Sequence, residues 1–508
     1  MADYDPFDAF SDDDEDENDA GGGVPTVDDT ASRIAKSLIE QANTKLQAKP
    51  MEVPNPVNNG IEKDDELGKN QEKADLSHLR YLKLDWPPPV YLGPILLVAD
   101  LEVGGGRGYV ASRHLEPGTL VLVEDPAMPW PEEQLGRKLD LLSVKCLLDY
   151  PDLVKDMEDF HPTKVNVDHN SHDQDNIEQI SNMIQIVKAE SKEETILDLV
   201  EFANGKGIMS KDGSSLTSTD ILRLLLALRY NGLESGVYRH VAMFNHDCRP
   251  NCAKLFPQGN QSYSEVRTTR RVEAGERLTI SYVPRIMSHA SRRKYLWEQH
   301  RFDIGAQLKG SDLKMELVGN DLPKSHIQKW DEDGITHRVE NTTEELEKML
   351  DDLQNDVETG ATASDTWATL KALEQTALEL YNEASQQLKN NFHILLIPIL
   401  RVHVETCEFL QKAPSLSSAV RLGILSRQVL SIHHLIPLQV AYLGPDHFEL
   451  ARTHLDLANG ISELLSRSPT KLYDLALPSL SKFEHWSALE HRSRQEHIRV
   501  KALYPHDA

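Results

Sequence analysis

The fold is decided by one polar stretch, Phe244-Asn245-His246-Asp247-Cys248-Arg249-Pro250-Asn251-Cys252. Most of its side chains can donate or accept hydrogen bonds, and it lies between a helix-patterned and a strand-patterned segment. Buried groups of this kind need partners, so Asn245 and His246 are candidates for contacts to a polar cofactor. A structural turn with satisfied polar groups is the plain alternative. A metal site is a third, although the neighbourhood supplies too few ligands for one.

Two segments on either side of this stretch carry further candidate chemistry. Upstream, Gly104-Gly105-Gly106-Arg107-Gly108 follows an apolar strand, but a dinucleotide fingerprint would need glycine where Tyr109 stands and a helix where the pattern is strand and turn. The glycines still allow the backbone to approach a ligand closely. A flexible turn is the alternative. Downstream, Gly275-Glu276-Arg277-Leu278-Thr279-Ile280-Ser281-Tyr282 reads as a turn and a strand, and Tyr282 alone is more typical of a core or interface.

The order and spacing of the three segments resembles the SET-domain lysine methyltransferases, most closely the subgroup in which a MYND-type zinc finger interrupts the domain. The resemblance spans about residues 90–302 and extends to Gly106-Arg107-Gly108-Tyr109, Pro117-Gly118 and Arg229-Tyr230-Asn231-Gly232. It implies an α+β fold, in which a β-clip or pseudoknot core of short strands carries a helical insertion. An all-α, tetratricopeptide-like domain would follow, although no clean 34-residue period is present. A plain helical bundle is an equal alternative for that domain.

The resemblance also implies roles for individual residues. S-adenosylmethionine would be bound by Gly106, Arg107, Gly108, Asn245, His246 and Phe302. Tyr282 would be catalytic, beside the transferred methyl group, and would line the substrate channel together with His300. The substrate amine must be neutral, although a free lysine has a pKa of ~10.4. An apolar channel next to a positively charged cofactor would favour loss of that proton.

The sequence departs from this family at its zinc sites. Nothing near Cys146 supplies the ligands of a MYND finger. The family's aromatic-x-Phe-x-Cys-x-Cys stretch reads His300-Arg301-Phe302-Asp303-Ile304-Gly305-Ala306. We therefore expect Cys248 to have no zinc partners. For the protein as a whole we expect no zinc cofactor and no metal-binding residues. Asp247 replaces the usual serine, and we expect it to pair with Arg249 or another cation.

The pattern along the chain predicts the domain organisation. We expect an acidic disordered region over 1–78, a SET domain over 79–305 with a helical insertion at about 132–235, a linker over 306–340 and a helical domain over 341–508. Strands are predicted at Ile95–Ala99, Tyr109–Ser112, Thr119–Glu124, Ser262–Thr269 and Arg277–Val283. Thr342-Thr343-Glu344-Glu345 resembles a capping box. A polar loop is predicted over 161–176, with its histidines (His161, His169, His172) solvated rather than bound to metal.

Composition limits the partners and the compartment. The net charge is −27, and residues 1–29 hold twelve Asp or Glu without Lys or Arg. Such a surface favours a lysine-rich protein substrate and disfavours direct contact with nucleic acid. Four cysteines exclude a dense disulfide framework. Without a membrane-length apolar run or a secretory signal, we expect no membrane association and a place in the cytoplasm, the nucleus or both.

Three functions follow from these patterns. The first is an active protein-lysine methyltransferase that depends on Tyr282. The second is a catalytically inactive SET-fold scaffold that binds protein partners through its C-terminal helices. The third is a metal-dependent hydrolase built on the Asn-His-Asp-Cys cluster, which lacks ligands. Methyl transfer that Tyr282→Phe abolishes would separate the first from the second.

Overall fold

A computed structural model gives the structure of the chain. It describes residues 76, 79–99, 107–131, 139–163, 174–233, 235–255, 263–283, 285–300, 302–305, 315–316, 334–358, 364–413, 416–467 and 483–504. The predicted disordered region over 1–78, apart from residue 76, therefore lies outside the described residues. Gly106, His169 and His172 lie outside them as well.

Short strands dominate the first part of the described chain. They are β1 Arg80–Tyr81, β2 Tyr91–Leu92, β3 Ile95–Ala99, β4 Arg107–Ala111, β5 Leu120–Glu124, β6 Met128–Pro129, β7 Gly232–Leu233, β8 Gly236–Val237, β9 Asn245–His246, β10 Cys252–Leu255, β11 Ser264–Thr268 and β12 Thr279–Ile280. They form four small sheets, in the orders β1-β3-β4, β10-β11-β5-β2, β12-β9 and β6-β8-β7. All pairings are antiparallel except that of β12 with β9.

Four of the five predicted strands are confirmed with small shifts of their ends. β3 has the predicted bounds and pairs with β4 from Ile95 opposite Ala111 to Ala99 opposite Arg107. The fifth prediction is wrong in extent, because within Arg277–Val283 only Thr279–Ile280 is a strand. Arg277 makes one isolated bridge to Val110, and the chain leaves the sheet at Ser281.

Helices make up most of the described residues of the predicted insertion and of the region after residue 334. They are α1 Leu141–Leu147, α2 Pro151–Asp156, α3 Gln174–Glu190, α4 Glu193–Gly205, α5 Ser218–Asn231, α6 His289–His300, α7 Ile335–Glu358, α8 Ser364–Leu388, α9 Leu396–Gln411, α10 Ser418–Leu443, α11 Glu449–Arg467 and α12 Phe483–Leu503. The described helices include none long and apolar enough to cross a membrane.

The insertion is built around α5. Its N-terminus is fixed by a capping box, in which Thr217 Oγ1 accepts from Asp220 N and the Asp220 carboxylate accepts from Thr217 N. The apolar residues of this helix are buried on every side, and they join one core with strands β3 and β5. Because α5 ends at Asn231, it delivers the chain directly to β7 and then to the polar stretch at 244–252.

The predicted capping box at Thr342–Glu345 is wrong. These residues lie inside α7, which begins at Ile335 and so takes in part of the predicted linker over 306–340. Thr343 Oγ1 donates to Val339 O, four residues earlier, at 2.7 Å. A buried threonine can satisfy its hydroxyl this way within a helix, so the Thr-Thr-Glu-Glu pattern did not mark a helix start here.

The helical region packs directly against the strands. Arg285 Nη2 donates to Glu344 Oε2 of α7 at 2.5 Å, and Ser288 Oγ donates to Glu340 Oε2 at 2.9 Å. Tyr504 Oη donates to Thr268 O of β11 at 3.1 Å. Gly118 has φ +80°, and a Cβ there would lie 2.6 Å from Leu503 O, so the predicted Pro-Gly turn requires glycine for space as well as conformation. The domain boundaries themselves remain predictions.

Candidate functional site

The candidate site forms where two distant segments pair as parallel strands. In β9 and β12, Asn245 lies opposite Thr279 and His246 lies opposite Ile280. This register carries Tyr282 to the side of His246, and Tyr282 N donates to His246 Nδ1 at 3.0 Å. The Asn-His pair and the tyrosine that the sequence singled out are therefore neighbours.

The end of the glycine segment meets the same pair. Asn245 Nδ2 donates to Arg107 O at 2.8 Å. Gly108 is buried beneath this hydrogen bond, and a Cβ on it would lie 2.3 Å from Asn245 Nδ2. Because no heavy-atom contact is tolerated at that distance, only glycine lets the backbone of β4 and the amide of Asn245 come together.

Tyr282 is fixed by two hydrogen bonds, one from its hydroxyl and one from its backbone N–H. Its hydroxyl donates to Phe244 O at 2.6 Å, while its backbone is fixed by His246. As a whole residue Tyr282 is partly exposed, although Phe244 and Ile280 beside it are buried. These two hydrogen bonds give its phenol a defined position.

His300, the last residue of α6, and Phe302 just after it complete the group of rings. The ring of His300 lies 4.9 Å from that of Tyr282, and the ring of Phe302 lies 5.8 Å from that of His246. We call Arg107, Gly108, Asn245, His246, Tyr282, His300 and Phe302 together the Tyr282 site. Every predicted site residue that the structure describes is thus in one place, and only Gly106 lies outside the described residues.

Burial keeps the site's titratable rings uncharged near neutral pH. Desolvation, with smaller contributions from Arg292 and His300, lowers the pKa of His246 to about 3. Desolvation lowers the pKa of His300 to about 4, with a smaller effect of His161. Desolvation also raises the pKa of the Tyr282 phenol. A neutral His246 is consistent with its role as an acceptor, because a protonated ring could not accept the Tyr282 N–H.

Arg107 and His161 extend the electrostatic surroundings of the site. Desolvation lowers the pKa of Arg107, and the charge of Asp159 opposes this. Desolvation lowers the pKa of His161, and the charge of Arg107 lowers it further. His161 is exposed as a whole residue, as predicted, but its ring lies 5.6 Å from that of Tyr230. Its carbonyl accepts from Asn231 Nδ2 at 2.6 Å. The predicted loop over 161–176 is wrong at its end, because α3 begins at Gln174.

Asn251 is a positioning residue that the sequence did not single out individually. It is 1% exposed. Its Nδ2 donates to Arg277 O at 2.6 Å, and its Oδ1 accepts from Thr279 N at 2.9 Å. These bonds tie the polar stretch to the segment that leads into β12. The Asn-His-x-Cys-x-Pro-Asn motif, which ends at this residue, was the available signal in the sequence.

Glu124 holds the chain just before the polar stretch. Its carboxylate accepts from the backbone N–H groups of Arg239, His240 and Val241 at 2.8 to 3.1 Å. Desolvation raises its pKa to about 7, against the lowering effect of these hydrogen bonds. The short 3₁₀ turn at Val241–Met243 is therefore anchored to β5, which fixes where Phe244 enters the site.

The predicted pairing of Asp247 takes a different form. Asp247 Oδ1 accepts from the backbone N of Arg249 at 2.8 Å, as in an Asx turn. The Arg249 guanidinium instead donates to Tyr442 O at 2.8 Å and lies 4.1 Å from the centre of the Tyr442 ring, on α10. Cys248 Sγ lies 3.5 Å from His246 Nε2. The expectation that Cys248 binds no zinc stays a prediction.

The arrangement fits a polar cofactor of the predicted kind. The partly buried state of Arg107, Asn245, His246 and Phe302 leaves each of them a face toward solvent. His300 Nδ1 is buried and has no hydrogen-bond partner among the described residues. An open surface with one unpaired ring nitrogen and an aromatic wall suits a ligand that carries both polar groups and a flat ring.

Comparison with known proteins finds matches over the part of the chain that holds the Tyr282 site. Residues 106–283 match the family described as SET domain. The histone-lysine N-methyltransferase SMYD3 of Mus musculus is 35% identical over 96 residues, or 18% of this chain and 22% of that protein. SMYD3 of Homo sapiens is 38% identical over 96 residues, with the same shares. Smyd1 of Mus musculus is 27% identical over 124 residues, or 22% of this chain and 25% of that protein.

These similarities are confined to one part of each protein. The chain spans no more than 25% of the length of the curated relatives it matches. Among solved structures, the SET domain of LSMT bound to lysine and AdoHcy has a TM-score of 0.23 and 10% identity, over 81% of this chain and 89% of that chain. That score is too low to support an argument.

Proposed function

This chain contains a SET domain, and on that premise we propose that it is a protein-lysine N-methyltransferase. It transfers a methyl group from S-adenosylmethionine to a lysine of a histone or another basic protein. The relatives it matches are named histone-lysine N-methyltransferases, and the acidic net charge of −27 complements a basic substrate.

One observation carries the proposal. The hydrogen bond from Tyr282 N to His246 Nδ1, at 3.0 Å, joins the cofactor-binding pair to the catalytic tyrosine. A fixed distance between those groups is what methyl transfer requires, because much of its rate comes from aligning the amine with the methyl group.

The residues of the site divide the work of the reaction. Bound S-adenosylmethionine would supply a methyl group on a positively charged sulfur. Asn245 and the β4 backbone at Arg107 and Gly108 would bind and orient the cofactor, and Phe302 would lie against the flat ring of the cofactor. Tyr282 stays protonated because burial raises its pKa. Its hydroxyl donates to Phe244 O, so an oxygen lone pair remains to accept from the substrate amine and orient it.

The neutral histidines suit a lysine substrate. His246 and His300 have pKa values of about 3 and about 4, so neither places a positive charge beside the incoming amine near pH 7. The amine must lose a proton before it attacks, and desolvation between Tyr282 and His300 would favour this loss. His300 stands where the family usually has tyrosine, and its unpaired Nδ1 can bind the amine N–H directly.

A second function is favoured by one departure from the family. Ile304 and Ala306 stand where relatives have cysteines, so the segment that would close the lysine channel lacks two of the family's usual zinc ligands. If closure fails, the chain would be an inactive scaffold that binds protein partners through α7–α12. Binding of the cofactor is compatible with both functions, whereas methyl transfer is compatible only with the first.

The test is methyl transfer from radiolabelled S-adenosylmethionine into histones and into cell-extract proteins. Wild type is compared with Tyr282→Phe, and Tyr91→Phe is the matched control because Tyr91 is 42% exposed on β2. We expect label on lysine with wild type and Tyr91→Phe, and a loss of about 100-fold or more with Tyr282→Phe. Absence of label from wild type that binds the cofactor would establish the scaffold instead.

A further inference from the structure

A second cluster of reactive side chains lies in the helical region, away from the Tyr282 site. Glu374 of α8 and His403 and Cys407 of α9 place one carboxylate oxygen, one ring nitrogen and one sulfur within 4.8 Å of one another. We call these three residues the helical cluster. Among the described residues, they are the one such group that could hold a metal ion.

The spacing of the three atoms matches the edges of a metal-centred tetrahedron. His403 Nε2 lies 3.3 Å from Glu374 Oε1, and Cys407 Sγ lies 3.8 Å from His403 Nε2 and 3.9 Å from Glu374 Oε1. Zinc bonds of ~2.0–2.1 Å to nitrogen and oxygen and ~2.3 Å to sulfur, at tetrahedral angles, give edges of about 3.3 and 3.6 Å. The two sulfur distances are only slightly longer than that. Sγ also lies 3.9 Å from His403 Nδ1, so it lies beside the ring, and the Cys407 side chain must rotate toward the Nε2 lone pair when the ion binds.

The helices present these atoms by simple geometry. His403 and Cys407 are four residues apart in α9, so their side chains lie on one face, one turn apart. That face is turned toward α8, which supplies Glu374. All three residues are within 2% of complete burial. No water from bulk solvent can satisfy them, so they must satisfy one another or share a ligand.

The histidine has the second contact that metal ligands usually have. Its Nδ1 lies 3.0 Å from Ser431 Oγ of α10. In the tautomer that binds metal, Nδ1–H donates to that hydroxyl and the lone pair of Nε2 faces Glu374 Oε1. Without an ion, Nε2–H donates to Glu374 Oε1 and Nδ1 accepts from the Ser431 hydroxyl, so the ring changes tautomer when the ion binds.

Arg427 is the main competitor for the carboxylate. Its Nε donates to Glu374 Oε1 at 2.7 Å and its Nη2 lies 3.4 Å from Oε2. In the rival arrangement, Glu374 is a buried counter-ion of Arg427 and also accepts from a protonated His403 Nε2. A carboxylate offers about four lone-pair sites, however, so one oxygen can accept from Arg427 and still bind an ion.

We propose that the helical cluster is a zinc site, with Glu374, His403 and Cys407 as three of its ligands. Cys407 binds as the thiolate, and its proton passes to solvent when the ion is taken up. One each of oxygen, nitrogen and sulfur is a donor set that zinc accepts and that calcium and magnesium do not. The ion would cross-link α8 to α9, and this role is independent of methyl transfer.

The first experiment counts zinc in the full chain. The protein is produced in zinc-supplemented medium with an affinity tag that contains no histidine, and metal is measured by mass spectrometry. We expect about one zinc per chain in wild type and under about 0.2 in Cys407→Ser and His403→Gln. The matched control is Cys248→Ser, because Cys248 is the other described cysteine beside a histidine. It should keep its zinc.

Several outcomes overturn the proposal. Zinc-free wild type would establish the buried ion pair, and zinc retained by Cys407→Ser or lost only from Cys248→Ser would put the metal elsewhere. Should Cys407→Ser fail to fold by circular dichroism, wild type decides alone. Loaded with Co²⁺, wild type and Cys248→Ser should both show thiolate-to-metal absorption in the near ultraviolet. A cobalt spectrum without that band, or one that Cys248→Ser abolishes, excludes Cys407 as ligand.

Discussion

The Tyr282 site and the helical cluster use similar side chains in opposite ways. At the Tyr282 site, polar groups bond to the backbone, as Asn245 does to Arg107 O and Tyr282 to Phe244 O, and each keeps one face open. In the helical cluster, side chains bond to one another and are sealed from solvent.

The difference shows what secondary structure allows. Two-residue strands leave backbone groups free to hold side chains, and the chain can turn away to leave a surface. In long helices the backbone N–H and C=O groups are already paired with one another. A buried polar side chain there therefore needs a side chain or a metal ion as its partner. His246 and His403 therefore differ in use because their backbones differ in what they offer.

The largest effect is expected from a single methyl group in the open site. In Gly108→Ala the new Cβ would displace Asn245 Nδ2, which it approaches to 2.3 Å. Since a shift of about 1 Å in a positioning group can cost roughly 100-fold, we expect methyl transfer to fall by about that factor. Cofactor affinity, measured by calorimetry, should fall with it.

Gly205→Ala is the matched control for this change. A Cβ on Gly205, at the end of α4, meets nothing within 4 Å, and alanine is favoured over glycine in a helix. It should leave methyl transfer unchanged and the melting temperature unchanged or slightly higher. Full activity in Gly108→Ala would show that the contact between β4 and Asn245 has no part in the reaction.

Acid is expected to destabilise mainly the helical region after residue 334. Burial lowers the pKa of five histidines there to about 3 or 4, and these are His393, His433, His434, His447 and His454. Their unfolded pKa is ~6.5, so the unfolded state binds protons first. Stability is therefore complete above pH 6.5 and is lost as the pH falls toward 4.

The size of the acid effect can be measured by denaturation at pH 7.5 and pH 5. By linkage each of these histidines contributes at most about 2 kcal/mol at pH 5. His434→Gln should reduce the pH dependence of the free energy of unfolding, whereas His491→Gln, at an exposed position of α12, should not. Protection against hydrogen exchange that is lost first in the strands at pH 5 would contradict the assignment of the acid effect to the helices.

The smallest effect is expected where the two regions meet. Arg249→Met removes the donation to Tyr442 O and the contact with the Tyr442 ring. We expect a loss of about 1–2 kcal/mol in the free energy of unfolding. The control Arg452→Met changes an arginine that is 79% exposed and should cost under about 0.5 kcal/mol. Equal losses would mean that Arg249 does not join the regions.

The sequence predicted the Tyr282 site better than the strand that builds it. Asn245, His246 and Tyr282 were identified because their spacing is specific, and the structure brings them together through β9 and β12. The strand at Arg277–Val283 was overextended, because alternating apolar residues do not reveal that the chain turns away after Ile280. Register between two-residue strands depends on contacts such as those of Asn251, which no local pattern encodes.

The helical cluster was missed for a different physical reason. His403-x-x-x-Cys407 is visible in the sequence as a pair on one helix face, but its third member lies on α8. Packing of α8 against α9 brings Glu374 to that face. Propensity predicts helices, whereas the choice of facing residues depends on how the helices cross. The capping pattern at Thr342–Glu345 failed similarly, since the start of α7 was set upstream of it.

The contact of Tyr504 with Thr268 has a consequence for how the protein is made. Its hydroxyl donates to a carbonyl of β11 that is 236 residues earlier in the chain. At translation rates of 5–20 residues per second, β11 would wait about 10–50 s on the ribosome before its partner is synthesised. During that interval α12 does not yet cover the apolar residues of β10, such as Leu255. These residues are then exposed to solvent and to the chaperones that bind nascent chains.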